Sequence, residues 1–277
     1  MTTYSKIKTA VDGPAYRITL FNPERRNAIG PMMVNELLYA LEEAHKADGV
    51  RAIVITGEGK AFCAGGDFQQ LSSPLANDSA GSRASPLQVT AGPDASQLAY
   101  KGDYADLLSA MTKTELPIIA RVNGPAMGGG LGLVAASTFA IGQADATLGT
   151  PEINVGLFPM MIMAVLTRVV PRRKLMEMML VGEKMTAAEA LDAGLLSAVV
   201  LAEGLDAAVE ELVKKIASKS PITTKLGLRA FAEQDDMDLA TALPHLRGKL
   251  GEVLGTDDAS EGLTAFLQKR QPRWTGK

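Results

Sequence analysis

Pro117-Ile118-Ile119-Ala120-Arg121-Val122-Asn123-Gly124-Pro125-Ala126-Met127-Gly128-Gly129-Gly130-Leu131 is the stretch whose reading decides the fold. Pro117 to Val122 is a β-branched run that predicts a strand, and Asn123-Gly124 punctuates its end. The glycine triplet leads into an apolar helix from Leu131, so unpaired amides and the positive end of a helix dipole would face the loop. An earlier segment has the same design. Arg51 to Thr56 is a β-branched run ending in Gly57-Glu58-Gly59, followed by the small-residue loop Lys60-Ala61-Phe62-Cys63-Ala64-Gly65-Gly66-Asp67. Two strand–loop–helix units predict an α/β fold in which right-handed crossovers bring both loops to one sheet edge.

Working outward, Ala15 to Leu20 reads as a strand and Asn22-Pro23 as a turn. Pro31 then suits a first helical position, with Val34, Leu37, Leu38 and Leu41 on one helical face. Ser72 to Ser96 is rich in Ser, Pro, Ala and Gly without sustained period and reads as an irregular loop. From Pro171 the patterns are mainly helical, over Lys174 to Val181, Ala187 to Ala193, Leu205 to Ser218 and a stretch after Asp236; Ser197 to Leu201 reads as one more strand. The expected organisation is a mixed α/β core over residues 1–200 and a helical region over 201–277.

Composition narrows the function. The 277 residues are 47% hydrophobic and 21% charged, with thirteen Met and few aromatics, which is ordinary for a globular chain with an aliphatic core. A net charge of -3 provides no basic footprint for nucleic acid. A single cysteine, Cys63, excludes an internal disulfide and a thiolate metal cluster. The N-terminal residues lack a signal peptide's apolar core, and the longest apolar stretch, Val155 to Leu166, is too short to span a bilayer. These features predict a cytoplasmic chain with no membrane contact and no metal.

Small residues in both loops let backbone N–H groups face a ligand, and two amides converging on one oxygen suit the enolate of a thioester. Donors of this kind are each worth about 10² to 10³ in rate. Together the segments resemble the crotonase (enoyl-CoA hydratase/isomerase) superfamily: Asn22-Pro23 through Asn27-Ala28, Ala61 to Asp67, Asn123 to Gly130, and Pro151-Glu152-Ile153 through Gly156-Leu157-Phe158-Pro159, in that order. The resemblance implies a spiral of ββα units with a helical C-terminal trimerisation region, an acyl-CoA substrate, no separate cofactor, and homotrimers or hexamers built as dimers of trimers. It also implies that the N–H groups of Ala64 and Gly129 form the oxyanion hole. Arg25, Arg26 and Ala28 would meet coenzyme A. Ala61, Gly65, Gly66, Asp67, Gly128 and Gly132 would line the site, with Asp67 also expected to cap the helix after its loop.

One departure bears on the reaction. Hydratases of this family usually carry one glutamate two residues after the glycine triplet and a second in the Pro-Glu-Ile segment. Here position 132 is Gly, while Glu152 is present. Hydration needs both water activation and proton delivery, whereas moving a double bond from the 3,4 to the 2,3 position needs one base that removes a proton from C2 and returns it at C4. Leu148, Ile153, Val155 and Phe158 predict an apolar surrounding that raises the Glu152 pKa. Asp78, Asp94 or Asp103 would be replacement acids for hydration. Met160 is Met where a related dienoyl isomerase subgroup has Asp, and the run Met160-Met161-Ile162-Met163 is expected to wall the acyl pocket.

Cys63 reads as a buried filler, His45 and His245 as solvated or core-edge residues, and Trp274 as an anchor for the tail. A dinucleotide-binding oxidoreductase is the main rival, but Leu133 stands where its fingerprint needs Gly or Ala. A non-catalytic acyl-CoA-binding relative is the other, on the strength of Gly132.

Overall fold

A computed structural model describes residues 3–67 and 98–277. Its frame is a six-stranded sheet in the order β1 (Ile7–Asp12), β2 (Ala15–Leu20), β3 (Ala52–Gly57), β4 (Ile118–Val122), β6 (Phe139–Gln143) and β9 (Ala198–Val200). All neighbours run parallel except β1 and β2, which form an antiparallel hairpin. Tyr16 pairs with Ile53, and Ile53 with Ile118. Parallel strands are covered on both faces, which is why β3 and β4 read as continuous apolar runs rather than as alternations.

Side-chain alternation sorts these runs into two layers. Ala52, Val54, Ile119 and Ile141 meet Leu205, Val209 and Val213 of the helix Leu205–Ala217. On the other face, Ile53, Ile55, Ile118 and Ala120 join the larger cluster with Met33, Leu37 and Leu41 of the helix Pro31–Lys46. The expected apolar face of that helix, Val34, Leu37, Leu38 and Leu41, is buried.

A second, three-stranded sheet, β5 (Ala126–Met127), β7 (Thr147–Gly149) and β8 (Met185–Thr186), stands beside the first and carries the segments leading to the glycine triplet and to Glu152. Helices Arg172–Val181 and Ala187–Asp192 form close to their expected bounds. The C-terminal part contains three more, Pro221–Gln234, Leu239–Leu254 and Asp257–Leu267, the first of which the sequence reading did not assign. Ser220, Asp238 and Thr256 begin them, each side chain accepting from a backbone N–H three residues on. Trp274 anchors the tail: its indole N–H donates to the Ser218 carbonyl at 2.8 Å, and buried Asp258 accepts from Thr275 and Gly276. No helix among the described residues is long and apolar enough to cross a membrane.

Candidate active site

Two buried asparagines tie the site segments together. Asn27 is fully buried in a left-handed conformation (φ 58°), and its side-chain amide donates to the carbonyls of Glu58, Ala61 and Phe62. Asn123 accepts from the Gly57 amide at 3.0 Å and donates to the carbonyls of Gly57 and Gly59. Gly57 has no alternative at this junction, because a Cβ there would lie 2.2 Å from the Ala61 carbonyl oxygen and 2.3 Å from that of Phe62. The turn after β2 and both glycine loops thus hang from side-chain amides that bind backbone.

The loops also bridge directly. Cys63 pairs with Ala126, its N–H reaching Pro125 O and its carbonyl accepting from Met127 N. Ile29 pairs with Gly66 through Ile29 N to Gly65 O and Asp67 N to Ile29 O, both near 2.8–2.9 Å. A residue bracketed in this way turns its own N–H away from the partner strand. The Gly66 amide therefore faces the site, and among the described residues it has no hydrogen-bond partner.

This corrects the expected oxyanion donor. The Ala64 amide donates to the Arg26 carbonyl at 2.9 Å and is engaged within the protein. Gly129, by contrast, begins the helix Gly129–Ala135, so its N–H has no intrahelical acceptor. Gly66 and Gly129 are both partly exposed, between buried neighbours. Gly65 meets the second loop closely: a Cβ on it would lie 3.2 Å from Met127 O and 3.8 Å from Gly128 Cα.

Glu152 lies on a short 3₁₀ turn, Pro151–Val155, that follows β7. Its Oε1 would be only 2.5 Å from a Cβ on Gly128, which places the carboxylate against the glycine triplet. Oε2 is buried without a hydrogen-bond partner among the described residues. Burial raises this carboxyl above its ordinary range, against the lowering pull of its own backbone amide. Of the expected apolar neighbours, Leu148 is fully buried, whereas Val155 is 64% exposed.

Position 132 is filled from outside. A Cβ there would lie 2.3 Å from the Tyr104 hydroxyl and 2.5 Å from Ile162 Cγ2, so the volume of a side chain at 132 is occupied by two others. Met160 itself is 65% exposed; the residue of its run that reaches position 132 is Ile162. Neither Tyr104 nor Ile162 carries a local sequence signal for such a role.

Several other expectations shift. Arg25 places its guanidinium on both oxygens of Asp67, at 2.7 and 2.8 Å, so that Asp67 is partnered by Arg25; the helix it was expected to cap lies outside the described residues. Arg26 and Ala28 are on the surface of the turn, exposed and partly exposed respectively. The Asp103 carboxylate accepts from the amides of Ala105 and Asp106 as a helix cap and is not turned to the triplet. Asp78, Asp94 and the 72–96 loop lie outside the described residues. Cys63 is fully buried against Gly130, and burial pushes its thiol up to about 12. His45 bonds to Leu41 O and to the Thr114 hydroxyl, and His245 to Glu233, both at the core edge or surface.

The enoyl-CoA hydratase/isomerase family model matches residues 13–277. The chain belongs to that family. Members act on acyl-CoA thioesters, and the crotonase fold is shared with the solved relatives. Among curated family members, a probable enoyl-CoA hydratase of Bacillus subtilis (strain 168) is 34% identical over 274 residues, covering 98% of this chain and 99% of its own. The mitochondrial enoyl-CoA hydratase domain-containing protein 3 of Mus musculus is 33% identical over 258 residues, 93% of this chain and 80% of its own. The crystal structure of the human enoyl coenzyme A hydratase domain-containing protein 3 superposes with a TM-score of 0.86 at 30% identity, over 98% of this chain and all of that one. An enoyl-CoA hydratase structure from Mycobacterium smegmatis gives 0.85 at 30% identity, over 98% and 99%.

Proposed function

We propose that this family member isomerises an enoyl-CoA thioester. Glu152 removes a proton from C2 of a 3-enoyl group, the electron pair moves through the dienolate, and the same carboxyl returns the proton at C4, leaving a conjugated 2-enoyl thioester. The amides of Gly66 and Gly129 hold the thioester oxygen while it carries the negative charge. Arg26 and Ala28 contact the coenzyme A moiety, and no separate cofactor takes part.

The observation that carries this reading is the pairing of Glu152 with a filled position 132. A half-buried carboxyl with one oxygen buried and unpartnered among the described residues, whose pKa burial has raised, is suited to act first as base and then as acid. The volume where a second carboxylate would stand is closed by Tyr104 and Ile162. The test is to incubate the protein separately with 3-enoyl-CoA and 2-enoyl-CoA, following conjugated-thioester absorbance and product mass. Conversion of the 3-enoyl substrate without mass change, lost in Glu152→Gln, is the expected result. Gain of one water by the 2-enoyl substrate as the main reaction would overturn it.

We further propose that the chain self-associates as a homotrimer through its C-terminal helices. Phe231, Leu239, Leu243, Leu254 and Phe266 are each more than half exposed there, an apolar area of a kind that soluble monomers seldom present. Sedimentation equilibrium giving a single chain mass would refute this.

A further inference from the structure

We infer that Tyr104 is a positioning residue for the oxyanion site, holding the Gly129 backbone in place from the volume that a second acid would otherwise fill. The inference rests on the assignment of the Gly129 amide as an oxyanion donor.

An amide is aimed by the two peptide planes that meet at its residue. The plane carrying the Gly129 N–H also carries the Gly128 carbonyl, which accepts from the Gly132 amide at 3.0 Å. The plane on the other side carries the Gly129 carbonyl, and the Tyr104 hydroxyl donates to that oxygen. Within a run of three glycines no side chain restricts either plane, so these outside bonds set the direction of the donor.

Tyr104 also packs where it bonds. Its ring carbon Cζ and its hydroxyl each lie 3.6 Å from the place a Cβ on Gly129 would take, with Ile29 Cδ1 at 3.5 Å on the same residue. The hydroxyl has one proton and gives it to Gly129 O, so it orients the backbone rather than delivering a proton to substrate. Burial, reinforced by the neighbouring Cys63 and Glu152, holds its ionisation well above the ordinary tyrosine value. The phenol therefore stays neutral and leaves Glu152 as the group that exchanges protons.

The residue type at 132 fits the same account. Any larger side chain there would push the Tyr104 hydroxyl off the Gly129 carbonyl, because a Cβ would lie 2.3 Å from it. Gly132 is the condition for the Tyr104 bond.

The experiment compares wild type, Tyr104→Phe and Gly132→Ala in two readouts. One is turnover of 3-enoyl-CoA; the other is the enolate absorbance of bound acetoacetyl-CoA, whose C2 proton passes to Glu152 or to solvent and whose equilibrium level reports stabilisation of the oxyanion without requiring protonation at C4. Tyr104→Phe should lower kcat on the order of tenfold, less than the 10² to 10³ lost with an oxyanion donor itself, while KM moves by no more than about twofold. The enolate band should weaken in parallel, with melting temperature lowered by no more than about 2–4 °C. Gly132→Ala reaches the same bond without altering Tyr104 and should weaken the band likewise, which keeps the test decisive if Tyr104→Phe folds poorly. Wild-type kcat and an undiminished enolate band in Tyr104→Phe would overturn the inference. A wild-type protein that polarises acetoacetyl-CoA but isomerises nothing would refute the isomerase reading alone, the enolate band still judging Tyr104. No polarisation by wild type would refute the oxyanion assignment and this inference with it.

Discussion

Replacing Gly132 by Ala should destabilise the protein, against the usual direction for a helix. In a helix interior the substitution ordinarily gains about 1 kcal/mol. Here the methyl carbon would lie 2.3 Å from the Tyr104 hydroxyl and 2.5 Å from Ile162 Cγ2, far inside the ~3.5–4.0 Å of a normal carbon contact. Forcing such a group into a packed interior costs about 1–3 kcal/mol, and displacing the Tyr104–Gly129 hydrogen bond adds about 1 kcal/mol. The balance is a net loss of about 1–3 kcal/mol, each kcal/mol corresponding to about 2–4 °C in melting temperature. Gly227, in the helix Pro221–Gln234, is the control: nothing lies within 4 Å of an added Cβ, so Gly227→Ala should gain up to about 1 kcal/mol. Chemical denaturation at fixed protein concentration measures both. A double-mutant cycle of Gly132→Ala with Tyr104→Phe should show a favourable coupling of about 0.5 kcal/mol or more, since the second change removes one of the two clashing atoms. If Gly132→Ala stabilised as Gly227→Ala does, the packing argument for position 132 would be wrong.

Glu152→Gln should lower turnover by about 10² to 10⁴. Its stability relative to wild type should also change with pH. The folded pKa of Glu152 is raised, so the wild-type contribution is full below the unfolded pKa and is lost as pH rises through the folded one. Denaturation at stepped pH should show the variant gaining on wild type across that window. Asp258 has the opposite sign. Burial alone would raise it, but hydrogen bonds from Ser220, Thr275 and Gly276 outweigh this and lower its pKa, so its contribution is present above the unfolded value and fades as pH falls through the folded one. Asp258→Asn should flatten that acid limb and speed proteolysis of the C-terminal tail. Asn123→Ala strands the buried N–H and carbonyl of Gly57, so a loss of about 2–3 kcal/mol by denaturation is expected, together with reduced turnover.

Two of the strands that were legible in the sequence are buried on both faces. The runs Arg51 to Thr56 and Pro117 to Val122 became Ala52–Gly57 and Ile118–Val122 because their β-branched residues fill two layers. Phe139–Gln143 was not legible: with Ala140 and Gly142 in its centre it has little intrinsic preference, and it is a strand because β4 and β9 flank it. In the site, glycine and small-residue content marked the two loops that the structure brings against each other. Composition did not show which amide is free, because that depends on the register of the Ile29–Gly66 bridge, a contact between residues far apart in sequence. Tyr104 was beyond reach for a related reason. Its partners Gly129 and Gly132 lie 25 and 28 residues downstream, and an aromatic at the start of a helix looks like any other until the packing is known.

Asn27 and Asn123 grip main-chain atoms, which every residue type presents alike. The carbonyls of Glu58, Ala61 and Phe62 would be held whether or not those side chains changed. Side-chain substitutions in these loops can therefore accumulate without loosening them, provided the two asparagines and the crowded Gly57 persist. A directed-evolution campaign for new acyl groups would do well to leave these three codons fixed and randomise the exposed positions 155, 157, 160 and 161 around them.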